Sequence, residues 1–128
     1  PRHSSSAASD VYKRQHIGPW VNEGNRDISI ELDDYDTWNV DYTLAVFAAP
    51  LLCQLRSRSH SYGMVDPDDV PTDIPTDDKY GTMESWHWVM DEMIWAFTSM
   101  SAEDDADITE RHKNALRLFG KYYFSLWD

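Results

Sequence analysis

The sequence predicts a mainly α protein: a small three-helix, or kinked four-helix, bundle with one short N-terminal strand and a long acidic loop. Three observations carry this. Three stretches repeat apolar residues with the 3.6-residue period of a helix, one stretch alternates with the period of two of a strand, and one lacks any period and is rich in Pro and Asp. Helices with one apolar stripe each must bury those stripes against one another.

The strand is read over Asp27–Leu32, where Ile28, Ile30 and Leu32 alternate with Ser29 and Glu31. Its candidate partners are the Trp20–Asn25 region after the Gly18-Pro19 loop, native residues ahead of the sequence, or another chain. Asp36 reads as the N-cap of the first helix, with Asp33 and Asp34 suited to the positive end of its dipole. Val40, Leu44, Phe47, Ala48, Leu51, Leu52 and Leu55 form its apolar stripe, and Pro50 inside it predicts a kink or a split. Arg56, Arg58 and His60 close it. Cys53 reads as a small buried hydrophobe.

Residues 61–82 carry Pro67, Pro71 and Pro75 among six Asp residues, with Val70 and Ile74 as apolar pins. The second helix, opened by Glu84 or Ser85, has the clearest stripe: Trp86, Val89, Met90, Met93, Ile94, Phe97 and Met100. Asp107 or Thr109 caps the third, whose buried row reads His112, Ala115, Phe119, Tyr122 and Leu126. Gly120 in mid-helix suggests close approach of another backbone.

The net charge is −12. So acidic a chain is unsuited to nucleic-acid phosphates or anionic membranes, and it permits a basic protein partner, a cation or simple solubility. A lone Cys forms no internal disulfide, and no apolar run reaches the ~20 residues of a membrane span. These features predict the host cell cytoplasm as location once the source resemblance below is added. Phosphate-binding loops, nucleophile elbows, paired Cys motifs and His-Glu-x-x-His are all missing from the sequence.

The remaining candidate chemistry is a carboxylate cluster. Asp36 and Asp41 begin the first helix, Asp91 and Glu92 lie between Trp88 and Trp95 on one face of the second, and His112 approaches from the third. Oxygen ligands on facing helices suit Mg²⁺ or Mn²⁺, which would make the chain a metal-dependent hydrolase-like enzyme. The plainer alternative pairs Asp91 and Glu92 with Arg111, Arg117 or Lys121, leaves Asp36 as a cap, and makes His112 a hydrogen-bonded core histidine. Trp38, Trp88, Trp95 and His60 are the candidate interaction residues. With no motif for chemistry, a non-enzymatic protein-binding domain is the leading reading, without a cofactor. An acidic DNA mimic is a further alternative.

Two resemblances add a source. Ser5–Gln15 (Ser-Ser-Ala-Ala-Ser-Asp-Val-Tyr-Lys-Arg-Gln) resembles the in-frame translation of a transposase adapter used in sequencing libraries. That implies an environmental sequence read, an artefactual and disordered segment 1–15, a single helical domain over 16–128, and native residues missing before His16. Beyond it, Asp36-Thr37-Trp38-x-x-Asp41-x-Thr43-Leu44-Ala45, Val65-Asp66-Pro67-Asp68-Asp69-Val70-Pro71, Trp88-Val89-Met90-Asp91-Glu92-Met93-Ile94-Trp95-Ala96-Phe97 and Leu118-Phe119-Gly120-Lys121-Tyr122-Tyr123, closing with Leu126-Trp127-Asp128, resemble motifs of small uncharacterised proteins of tailed bacteriophages. Gln54-Leu55 ahead of His60 is similar as well, although Ser61-Tyr62-Gly63 stands where that family has a single Gly. The resemblance covers roughly residues 28–128 and implies a bacteriophage accessory protein, with a host or phage protein as partner and no defined activity.

Overall fold

A computed structural model describes residues 20–22, 25–26, 29–77, 81–102 and 107–128, and the segment 1–15 lies outside it. The architecture is mainly α. Helix α1 spans Val40–Arg58, α2 spans Met83–Ala102 and α3 spans Glu110–Lys121. A strand pair, β1 (Trp20–Asn22) and β2 (Asn25–Arg26), is antiparallel, with Trp20 opposite Arg26 and Asn22 opposite Asn25.

The strand predicted over 27–32 is not formed where it can be seen: residues 29–33 carry no ladder, and Asp27 and Ile28 lie outside the described residues. Alternation makes a strand only when a sheet buries one side, and Ile30 and Leu32 stay exposed.

The chain enters α1 through a 3-10 turn at Asp34–Thr37. Asp33 caps that turn, and its own N–H donates to Asp36 Oδ2 at 2.7 Å, a reciprocal capping box. Asp36 is therefore the buried third residue of the turn and not the N-cap of α1, a place held by Asn39 without a side-chain bond. Pro50 sits within one continuous helix, so the bundle has three helices and not four. The ring removes only the hydrogen bond to the carbonyl of Val46.

Which side of α1 faces inward differs from the predicted stripe. The buried row is Ala45, Ala49 and Leu52, spaced four and three apart. Small side chains let α1 lie close along α2. Val40, Leu44 and Leu51, expected in the core, are 48%, 60% and 57% exposed. Cys53 is exposed too, because the buried row turns from Ala49 to Leu52 and does not continue four residues on to Cys53.

Helix α2 is the central rod, packed against both others, which meet each other far less. Its row of Trp86, Val89, Met90, Met93 and Phe97 is buried as the periodicity predicts, with Ile94 and Met100 at the margin. Each of these large side chains contributes about 1.5–3 kcal/mol by leaving water. Thr82, not Glu84 or Ser85, caps α2: the Ser85 N–H donates to Thr82 Oγ1 at 3.1 Å, while Ser85 is fully buried.

On α3, His112, Ala115 and Leu118 are buried, with Tyr122 just beyond the helix. Phe119, predicted in that row, is only half-buried. Gly120 has open space where a Cβ would stand, so no backbone approaches it. The acidic loop folds back on the bundle through Val65, Val70 and half-buried Ile74. Gly81 is where it turns: φ is +71°, and an added Cβ would lie 2.7 Å from the Gly63 carbonyl oxygen.

Candidate functional site

The carboxylates singled out in the sequence are distributed, not gathered. Consecutive residues of a helix point about 100° apart, so Asp91 and Glu92 lean toward different neighbours. Asp91 accepts a two-pronged contact from Arg56 of α1, with Nη2 at 3.2 Å from Oδ2. Glu92 accepts from Arg111 of α3, with Nη2 at 2.7 Å from Oε2. Asp36 is held in its turn, and Asp41 is exposed in the first turn of α1. Among the described residues, no group of three or more His, Cys, Asp and Glu side chains is placed to hold a metal ion. Of the three cations the sequence offered, Arg111 is the one that pairs with this carboxylate couple. Arg117 and Lys121 go elsewhere, and the Arg56 partner was missed.

His112 is a hydrogen-bonded core histidine. Its Nδ1 accepts the Thr109 backbone N–H at 3.0 Å, which puts the ring proton on Nε2, 2.9 Å from Ser99 Oγ. In turn the Thr109 side chain caps α3, so His112 occupies the place of the usual Glu or Gln in a capping box. Trp95 stacks beside it, with ring centroids 4.5 Å apart, and Arg111 Cζ lies 3.8 Å above the indole.

Sequence reasoning missed the densest polar knot. Asp69 is the last residue of the Pro67–Asp69 turn in the acidic loop, and its side chain is 6% exposed. It accepts from Arg117 Nη2 at 2.9 Å, Lys121 Nζ at 2.6 Å and the Tyr122 hydroxyl at 2.6 Å. That hydroxyl accepts from the Asp66 N–H at 2.9 Å. Burial pushes the Asp69 carboxyl up, but hydrogen bonds from Lys121, Tyr122 and Arg117 prevail and hold it below the ordinary aspartate value. Burial and the bond to Asp69 push the Tyr122 hydroxyl up. The signal was the i, i+4 spacing of Arg117 and Lys121, which puts two cations on one face.

The surface that is not satisfied internally is apolar. Because α1 and α3 both lie on α2, they leave a groove of about 460 Å³ between Leu51 and Leu55 on one side and Phe119, Tyr123 and Leu126 on the other. A chain of edge-on rings leads out of the core there: Phe97 to Phe119 at 5.0 Å, Phe119 to Tyr123 at 5.6 Å, and Tyr123 to Phe124 at 5.5 Å. Phe124 is 89% exposed. The outer row of α1 continues this surface toward Trp38, which is exposed and meets Tyr35 edge-on at 4.7 Å.

Of the four candidate interaction residues, then, Trp38 stands on this surface. Trp88 packs against the core, Trp95 is covered by Arg111, and exposed His60 donates its N–H to Asp128 Oδ1 at 3.0 Å. No described helix is long and apolar enough to cross a membrane. No known protein family, curated protein or solved structure matches the chain.

Proposed function

We propose that this chain is a non-enzymatic bacteriophage accessory protein that binds another protein through the outer face of α1 and the groove beside it. The carrying observation is the exposed row Val40, Leu44 and Leu51, continuous with a groove lined by Leu55, Phe119, Tyr123 and Leu126. Contiguous apolar surface of this kind on a small domain marks a docking site, and aromatic residues at its rim supply anchoring area. Asp91 and Glu92, two of the carboxylates that would serve a metal-dependent reaction, are instead engaged with arginines of neighbouring helices. The reading places the protein in the host cell cytoplasm, with a host or phage protein as partner.

The test is retention of a partner from bacterial host lysate on the immobilised chain. The wild type retains one, while Leu51→Glu and Tyr123→Ser lose it with unfolding midpoints unchanged. A chain that is monomeric and retains nothing, or variants that retain the partner as well as the wild type, would refute the proposal.

A further inference from the structure

We infer that the protein covering the outer row of α1 is a second copy of this chain, with the two α1 helices antiparallel about a twofold axis. The inference rests on the protein-binding reading above and names its partner. Val40, Leu44, Phe47 and Leu51 are spaced four, three and four residues apart, which is the spacing of a two-helix seam. The seam runs about 16 Å along the helix. It lies apart from the Ala45–Ala49–Leu52 row that α2 already occupies, so α1 carries a second apolar face, on which Val40, Leu44 and Leu51 are exposed and Phe47 is half-buried.

Charge selects the occupant. Between Asp41 and Arg56, α1 carries no charged residue. The acidity of the chain is therefore not on this strip, and a partner recruited by net charge alone would find no purchase along it. What the strip has is polarity from end to end. Glu31 and Asp34 are exposed before α1, and Arg58 is exposed at its end. Among the described residues, neither the Asp34 nor the Arg58 side chain forms an ion pair.

The complement of a strip that is acidic at one end, apolar in the middle and basic at the other is the same strip reversed. With Val40 opposite the partner's Leu51, Leu44 comes opposite Phe47, and Arg58 comes beside Asp34. Each contact forms twice, and the helix dipoles oppose.

Sedimentation equilibrium of the full chain, from low to high micromolar concentration, tests this. The mass rises to twice that of the chain. Leu44→Glu holds it at the monomer with its circular dichroism unchanged. Asp34→Arg and Arg58→Asp each weaken association about 10-fold, and the two combined restore it to within about 3-fold, because the swapped charges meet again across the axis. A monomer throughout, a dimer indifferent to Leu44→Glu, or a double variant no tighter than the singles overturns the inference. If the chain is monomeric yet retains a lysate protein that Leu51→Glu releases, the second copy is refuted and the protein-binding reading stands. If it is monomeric and retains nothing, both fall.

Discussion

Replacing Asp69 with Ala removes the acceptor on which the acidic loop and the end of α3 converge. Tyr122 then keeps a hydroxyl donor without its partner in a site that is almost closed to solvent, at a cost of about 1.5–3 kcal/mol for a hydrogen bond to a charged group. The Arg117 and Lys121 side chains are 49% and 40% exposed and turn to water, so each adds only about 0.2–1 kcal/mol. The expected loss is about 2–5 kcal/mol, a large share of the ~5–15 kcal/mol that holds a domain together. At about 4 °C per kcal/mol, Tm falls by roughly 8–20 °C. Urea unfolding of Asp69→Ala, Tyr122→Phe and the double variant gives the loss and the coupling. The singles exceed the double in sum by about 1 kcal/mol or more, since each removes the same bond. A loss below about 0.5 kcal/mol, or strict additivity, refutes the knot as the loop's anchor.

The Asp69 carboxyl is lower in the folded chain than in the unfolded one, so its stabilisation is complete above the unfolded range near ~4 and fades as pH falls further. The stability gap between wild type and Asp69→Asn should accordingly hold constant at neutral pH and narrow below about pH 4; a gap unchanged in acid contradicts this. Gly81→Ala, at positive φ and against the Gly63 carbonyl, should cost more than about 1 kcal/mol, while Gly120→Ala should gain about 0.5–1 kcal/mol in chemical unfolding. His112→Leu should cost about 1–2 kcal/mol by uncapping α3, and His112→Gln, which keeps an acceptor for the Thr109 N–H, should recover at least half; equal losses would show the ring matters only as bulk. Millimolar Mg²⁺ or Mn²⁺ should leave Tm within about 1 °C, and a rise of several degrees would reopen the metal reading.

Helix number and the face of α2 were legible because large apolar residues recur there at one period and nothing competes with them. Helix α1 was harder. Its sequence holds two apolar rows, and weighting by hydrophobicity favours Leu44 and Leu51 over Ala45 and Ala49. Close packing selected the alanines, a preference that depends on the neighbouring helix and leaves no mark in the periodicity of α1 itself. Asp91 and Glu92 were read as sharing one helix face, whereas adjacent positions point about 100° apart, and which cation each meets depends on how α1 and α3 flank α2. Asp69 lay hidden among six loop aspartates, distinguishable only by a fold that brings Arg117 and Lys121 across to it.

The proposed binding depends on which side of α1 is outside. Unfolding free energies of Leu44→Ser and Ala45→Leu, measured side by side at a concentration where the chain is monomeric, decide it. The structure predicts that Leu44→Ser changes stability by less than about 0.5 kcal/mol and that Ala45→Leu, forced between α1 and α2, costs about 1–3 kcal/mol. The opposite order would put Leu44 in the core and remove the surface on which the proposed binding depends.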